Sequence, residues 1–325
     1  MTRTQETSAS WCRTAIWRPR VGKLRLALSL CFALFCGPEL FAAARLNVVV
    51  TTPDLASIAR EVGGDALDIT TLVRPTEDAH FIDAKPSFMV KLNRADALIE
   101  GGAELESGWL GPLVQGARNA KLAVGAPGRI ACNATVNMLE IPASLSRDQG
   151  DIHASGNPHY VIAPSNALKV AANIADRLSV VDPSRADDYR QRLRIFQDRL
   201  IAKQVVWRKA LEPHRGRQIV SYHNSWPYFA AEFGLKFELF IEPKPGIPPS
   251  PAHLAGLVTA MKEKRALVIF VEPSLGRKAA ETLVRSTGAV LVPASQFPGG
   301  IKGTEAGYVE LLDTLVSSLA QAFAQ

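Results

Sequence analysis

The sequence predicts an α/β protein of two lobes, each with a mostly parallel sheet flanked by helices, joined by one long rigid interlobe helix. Three observations carry this reading. From Leu46 onward, short β-branched runs alternate with helical patterns, the order that builds βα units and parallel sheets. The strand-like runs fall into two series on either side of a stretch, Ser184 to Leu211, that contains neither Gly nor Pro. The chain has 325 residues, 47% hydrophobic and 21% charged, which suits a soluble globule with room for two domains of ordinary size.

The first 44 residues stand apart from that globule. Arg18, Arg20, Lys23 and Arg25 precede the apolar run "LALSLCFALFCGPELFAAA", which ends in Ala42, Ala43 and Ala44. This is the layout of a secretory signal peptide with an A-x-A cleavage site, and cleavage is expected after Ala44. Gly37, Pro38 and Glu39 interrupt the run and leave it short for a membrane span of about 20 residues. Removing this segment takes away six Lys/Arg and two Asp/Glu, leaving 31 against 29, so the mature charge is +2 rather than +6. No basic patch then argues for nucleic acid. Cys12, Cys31 and Cys36 leave with the leader and Cys132 remains alone, so the mature chain has no intramolecular disulfide. Leu30 before Cys31 and Phe35 before Cys36 are not the small residues that a lipid-attachment site prefers, which disfavours a lipid anchor.

In the first lobe, residues 45–181, the expected strands are "LNVVVTT", "LDITTLV", "ADALIEGG" and "KLAVGA". The interlobe helix, within residues 182–212, opens with Asp182 as N-cap and Pro183 at the first helical position. Tyr189, Leu193, Phe196, Leu200, Trp207 and Leu211 then make one apolar stripe. At 1.5 Å per residue the helix reaches about 40 Å and acts as a strut that permits only small hinge motion. The second lobe, residues 213–325, offers "RQIVSYH", "KFELFIE", "ALVIFVE" and "AVLVPA" as strands.

In open α/β sheets, ligands sit where loops converge at the carboxyl ends of strands. Three of the six histidines fall at such places: His80 after the second strand, His159 just before a helix, and His223 at the end of "QIVSYH". They are 79 and 64 residues apart, so no local metal motif is present and position on the elements carries the argument. Three neutral imidazoles with a carboxylate or water make a tetrahedral site suited to Zn²⁺.

The chain resembles the metal-binding subunit of bacterial ABC importers for zinc and manganese, the A-I cluster of periplasmic binding proteins with a rigid interlobe helix. The resemblance runs from Leu46 to about Ala324 and rests on "VVVTTPDLASIAREVGGD", "LVRPTEDAHFIDAKPSFMVKLNRADALIEGGAELESGWL", "NPHYVIAPSNALKVAANIADRL", "YHNSWPYFAAEFGL" and "PSPAHLAGLVTAMKEKRALVIFVEP". It implies His80, His159 and His223 as metal ligands. His223 stands where manganese-type members often carry Glu, and a nitrogen there favours zinc over the harder Mn²⁺. Ala79 departs from the Pro or Glu usual before the first ligand. The segment after the last strand, "LVPASQFPGGIKG", lacks the acid that often supplies the fourth ligand. Glu272 is the best-placed replacement, with Glu77, Asp78 or water as alternatives.

The family further implies capture of Zn²⁺ as transported ligand in the periplasm, a membrane permease as partner, and a monomer. The competing reading is a zinc hydrolase on the same three histidines, with Glu272 or Glu77 as general base. No second acid, oxyanion motif or nucleophile elbow accompanies them, which counts against an enzyme. A manganese site, another metal, or a metal chelate in the same cleft are the remaining alternatives. The loop "SRDQGDIHASGNPH", with Asp148, Asp151 and His153, reads as a short solvated segment rather than a metal antenna. His214 and His253 read as exposed, Cys132 as a small buried hydrophobe, and Trp226, Tyr228 and Phe229 as second-lobe packing.

Overall fold

The central strands have the sequence of sheets covered on both faces. Val48 to Val50, Ala97 to Glu100, and Val268 to Phe270 are runs with no alternation, and they are buried. A computed structural model of the protein describes residues 44–144, 150 and 153–325, so the expected leader, Asp148 and Asp151 lie outside the described residues. The first sheet joins β1 (Leu46–Val50), β2 (Leu67–Thr71), β3 (Ala97–Glu100) and β4 (Arg129–Ala131), all parallel, in the order β2-β1-β3-β4. The second joins β5 (Gln218–Ser221), β6 (Lys236–Phe240), β7 (Val268–Val271) and β8 (Val290–Pro293), again parallel, in the order β6-β5-β7-β8. The two lobes therefore repeat one strand order.

The expected strand "KLAVGA" is not one. Residues 120–122 form a single 3₁₀ turn, with the Asn119 side chain accepting a hydrogen bond from the Lys121 amide, and Val124 is 87% exposed. A run with one apolar side chain in water has no face to bury. The edge strand begins instead at Arg129, just after Gly128, where a Cβ would lie 2.5 Å from the Asp96 carbonyl oxygen.

The helices are α1 (Pro53–Gly63), α2 (Pro86–Arg94), α3 (Leu110–Ala117), α4 (Pro164–Val181), α5 (Ala186–Leu211), α6 (Pro227–Phe233), α7 (Pro251–Glu263), α8 (Arg277–Thr287) and α9 (Tyr308–Phe323). A proline sits in the first turn of α1, α2, α4, α6 and α7, where its missing N–H costs nothing. The interlobe helix is α5. Pro183 opens a 3₁₀ turn rather than the α-helix itself, and the Asp182 carboxylate accepts from Ser184 Oγ at 2.6 Å, Arg185 Nη1 at 2.9 Å and Tyr189 Oη at 3.1 Å. The 26 residues of α5 bury Tyr189, Phe196, Leu200, Trp207 and Leu211, with Leu193 half-buried beside them.

One hydrophobic core runs through both lobes. It takes Val48, Val50, Ile58 and Ile99 from the first, Trp226, Phe229, Phe237 and Phe270 from the second, and the apolar sides of α4, α5 and α9. Each lobe also has a private core on the other face of its sheet, around Leu92 and Trp109 in the first and around Val220 and Leu283 in the second. The last helix, α9, follows the second sheet yet docks on the first lobe. The Tyr308 amide donates to Ser57 Oγ at 2.9 Å, and Tyr308 Oη donates to the Val161 carbonyl at 2.7 Å. Asp313 on α9 accepts from Trp207 Nε1 at 2.8 Å and from Lys203 Nζ at 2.6 Å on α5. The strut is thus tied by packing along its length, and the shared core restricts rotation between the lobes.

Candidate metal centre

Every strand of the second sheet delivers one polar residue just past its carboxyl end. His223 follows β5 by two residues, Glu242 follows β6 by two, Glu272 follows β7 directly, and Gln296 follows β8 by three. The first lobe answers with Asp54 in the first turn of α1, Asp78 and His80 in the loop after β2, and His159 ahead of α4. Asp54, Asp78, His80, His159, His223 and Glu272 line one cavity of about 50 Å³ between the lobes. That volume suits a bare ion or a water, and is far below the 300–1,000 Å³ of pockets for organic ligands.

Candidate ligand atoms of His80, His159 and His223 lie within 4.8 Å of one another. Their ring centroids are 5.0 Å apart for His80 and His159, 5.5 Å for His80 and His223, and 5.3 Å for His159 and His223. In two of the rings a carboxylate occupies Nδ1. Asp78 Oδ1 accepts from His80 Nδ1 at 2.8 Å and from the His80 amide at 2.9 Å. Glu242 pairs with His223 Nδ1. The Gln296 side chain bonds the His159 ring. A carboxylate on Nδ1 fixes the tautomer with its lone pair on Nε2 and makes that lone pair more basic. Nε2 of both His80 and His159 is buried without a hydrogen-bond partner among the described residues. Buried, unpartnered lone pairs are costly unless something fills the space between them.

The charges are arranged for a cation. Burial, and then the neighbouring imidazoles, hold His159 well below its ordinary value, so it is neutral near neutral pH. Burial pushes His223 down as well, but the bond to Glu242 and the charges of Glu242, Glu272 and Asp78 outweigh it and carry the imidazole upward. Asp78 is raised by burial and lowered more by His80, so it stays ionised beside the ring it orients. Burial raises Glu272. On the first-lobe wall, Asp54 is pushed up to about 6 by burial, and its Oδ1 has no partner among the described residues. Behind it, Glu106 rises to about 7 for the same reason while accepting from Thr51 Oγ1 and the Gly101 and Gly102 amides.

The structure brings the three histidines together and leaves Glu272 outside the group. Its Oε1 accepts from Trp226 Nε1 at 3.0 Å, and its Oε2 faces Gln296 Nε2 at 3.4 Å. Glu77 turns away to Arg74, and Asp78 is engaged with His80. His214 packs on Phe323, with ring centroids 4.9 Å apart, and is half-buried rather than exposed. His253 is also half-buried, with Nε2 at 3.1 Å from the Phe240 carbonyl oxygen. Cys132 is buried, and Trp226 is enclosed by Phe229, Phe237 and Phe270. Two features escaped the sequence reading. One is Glu242, although "FIEP" at 240–243 repeats the "FVEP" of 270–273 and marks the same place on a neighbouring strand. The other is His153, read as a solvated loop residue. Its ring lies 5.2 Å from that of His80, its Nε2 is buried without a partner among the described residues, and burial holds it down to about 4.

A clasp of hydrogen bonds joins the histidine segments across the lobes. Asn157 Oδ1 accepts from the His159 amide at 3.0 Å, while its Nδ2 donates to the Asn224 carbonyl at 2.8 Å and to Glu140 Oε2 at 3.0 Å. Asn224 Nδ2 reaches the same Glu140 oxygen at 2.8 Å. Tyr228 Oη donates to the Asn157 carbonyl at 2.8 Å and accepts from the Leu139 amide at 2.9 Å. His159 and the residue after His223 thus hang on one side chain.

Two α/β lobes fused on a common core, with imidazole lone pairs converging in an ion-sized cleft, define the metal-binding, substrate-binding component of an ABC importer, which captures and hands over rather than catalyses. The chain belongs to the family described as zinc-uptake complex component A, periplasmic (ZnuA), whose model matches residues 48–322. It is 26% identical over 297 residues to the iron-binding protein YfeA of Yersinia pestis, covering 87% of this chain and 88% of that one. It is 24% identical over 310 residues to the zinc-binding lipoprotein AdcA of Streptococcus pneumoniae, covering 91% of this chain and 60% of AdcA. A crystal structure of ZnuA superposes with a TM-score of 0.73 at 24% identity, covering 86% of this chain and 99% of the other, which speaks to the fold. Among the described residues no helix is long and apolar enough to cross a membrane.

Proposed function

We propose that this protein is exported, loses residues 1–44, and as a monomer in the periplasm captures Zn²⁺ on His80, His159 and His223 for delivery to a membrane permease. The observation that supports the metal is the convergence of the three rings. The three rings converge on one small cavity, carboxylates occupy Nδ1 of His80 and His223, and Nε2 of His80 and His159 is buried without a partner among the described residues. An all-imidazole set suits zinc better than Mn²⁺, which prefers oxygen. With Zn–N bonds of about 2.0–2.1 Å, ligand nitrogens in a tetrahedron stand roughly 3.3 Å apart, so the ion would draw the rings inward from their separation of up to 4.8 Å. Glu272 enters this reading as a charge near the ion rather than as a donor, since Trp226 and Gln296 hold its carboxylate. Relatives differ in the metal they are named for, iron in YfeA, zinc in AdcA and manganese in PsaA of Streptococcus mitis, and the imidazole donors are what support zinc in this reading. Metal analysis of protein purified without chelator, followed by competition between Zn²⁺ and Mn²⁺, tests it. One zinc per chain and clear preference for zinc are expected; equal affinity for Mn²⁺ would overturn the assignment.

A further inference from the structure

We propose that His153 is a fourth metal-binding imidazole of this cleft, standing in for a carboxylate ligand and giving the ion four nitrogen donors. The inference rests on the three-histidine reading above and adds a residue to it. The carboxylates around the trio are committed elsewhere: Glu77 to Arg74, Asp78 to His80, Glu242 to His223 and the Gly246 amide, and Glu272 to Trp226. The fourth corner of a tetrahedron needs another donor or a water.

His153 has the properties of the trio. Its ring lies 5.2 Å from that of His80, inside the 5.0–5.5 Å range that separates the three rings from one another. Its Nε2, like those of His80 and His159, is a buried lone pair without a partner among the described residues. The backbone that carries it is anchored. The Ala154 amide donates to Glu104 Oε2 at 2.6 Å, the Gly156 amide to the His153 carbonyl at 3.2 Å, and the Asn157 amide to the Leu139 carbonyl at 2.9 Å. His153 shares the lining of a further cavity of about 240 Å³ with His159 and His223. His153 stands on the outer side of His80, beyond the tight group of three. To ligate the ion its side chain has to turn inward, and the cavity it shares with His159 and His223 is the space for that turn. Asp54, which lines the 50 Å³ cavity where His153 does not and has an unpartnered Oδ1, is the rival donor.

Zinc-edge X-ray absorption counts imidazoles through ring-carbon scattering, and chelator competition gives affinity. The expected result is four imidazoles in the full protein and three in His153→Ala. Zinc binding should weaken at least about tenfold in His153→Ala and in His153→Gln with metal-free melting unchanged, and the imidazole count distinguishes a ligand from an outer partner, whose loss costs about as much. Asp54→Asn should keep four imidazoles. Three imidazoles in the unaltered protein, or zinc affinity in His153→Ala within about twofold, would overturn the proposal, and a large loss in Asp54→Asn would award the corner to Asp54. His223→Ala separates this from the reading beneath it. If that variant keeps its zinc, the three-histidine site itself fails; if it loses zinc while His153→Ala does not, only the role of His153 falls.

Discussion

Acid should release the metal, and Glu242 should set the pH at which it does. His223 titrates above its ordinary 6.5, because the bond and charge of Glu242 outweigh burial. Taking 6.5 as a lower bound, at most about 3% of this imidazole is neutral at pH 5, so proton competition at this one residue weakens zinc by at least about 30-fold, roughly 2 kcal/mol. At a thousandfold excess over Kd near pH 7.5, zinc binding to the folded form adds about 4 kcal/mol. At about 2–4 °C per kcal/mol for a chain of this size, that is a rise of roughly 8–16 °C in Tm, and about half or more should be gone at pH 5. The sign differs for the metal-free protein. A raised His223 pKa gives stability present below 6.5 and lost as pH rises through the folded value, whereas lowered His159 and His153 cost stability as pH falls below 6.5. The quantity to follow is therefore the difference in Tm with and without zinc across pH, by calorimetry. Glu242→Gln removes the charge, lowers the His223 pKa, and should move the loss of zinc to lower pH while weakening affinity about 10–100-fold at pH 7.5. A zinc-dependent rise that is the same at pH 7.5 and pH 5, or a Glu242→Gln profile that overlays the parent, would refute the reasoning.

His223→Ala should cost far more zinc affinity than His214→Ala or His253→Ala in the same chelator titration, since the latter two rings are spent on Phe323 and on the Phe240 carbonyl. Glu272→Gln should weaken zinc by less than about tenfold, and a loss beyond about a hundredfold would place its carboxylate on the ion. Asn157→Ala removes the clasp between the His159 and Asn224 segments and should raise the zinc dissociation rate in stopped-flow exchange, with about a tenfold weaker affinity. Phe196→Ala, deep in the core common to both lobes, should cost about 3–5 kcal/mol in denaturant unfolding. It should lower one transition rather than split it, and two separated transitions would show that the lobes fold independently.

The two-lobed plan was legible because short β-branched runs recur between helical patterns. "LNVVV", "QIVS" and "VIFV" are short and rich in Val and Ile, as buried strands are, and the stripe on α5 runs from Tyr189 to Leu211 with only Gln204 interrupting it. "KLAVGA" misled because an apolar count says nothing of where a side chain points, and Val124 points to water. At the site, His80, His159 and His223 could be picked out by their places at the ends of elements. Their partners could not. Asp78 and Glu242 matter through a contact with Nδ1, and the pairing of Glu242 with His223 joins residues on adjacent strands whose order no single sequence reveals. His153 looked like loop because Ser, Gly and Asp surround it, yet composition reports a segment's average and ligation depends on one ring.

The return of α9 to the first lobe has a bearing on how the chain reaches its destination. A first lobe whose surface is closed by Tyr308, and whose strut is tied by Asp313, lacks part of its core until the final 16-residue helix is present. A nascent chain therefore cannot complete its first lobe until that last helix has been synthesised. The contacts that would lock it span from Ser57 to Tyr308, a loop closure among the most remote in the sequence and slow to form. Such topology keeps the polypeptide unfolded, and so threadable through a translocation channel, for longer than two self-sufficient domains would.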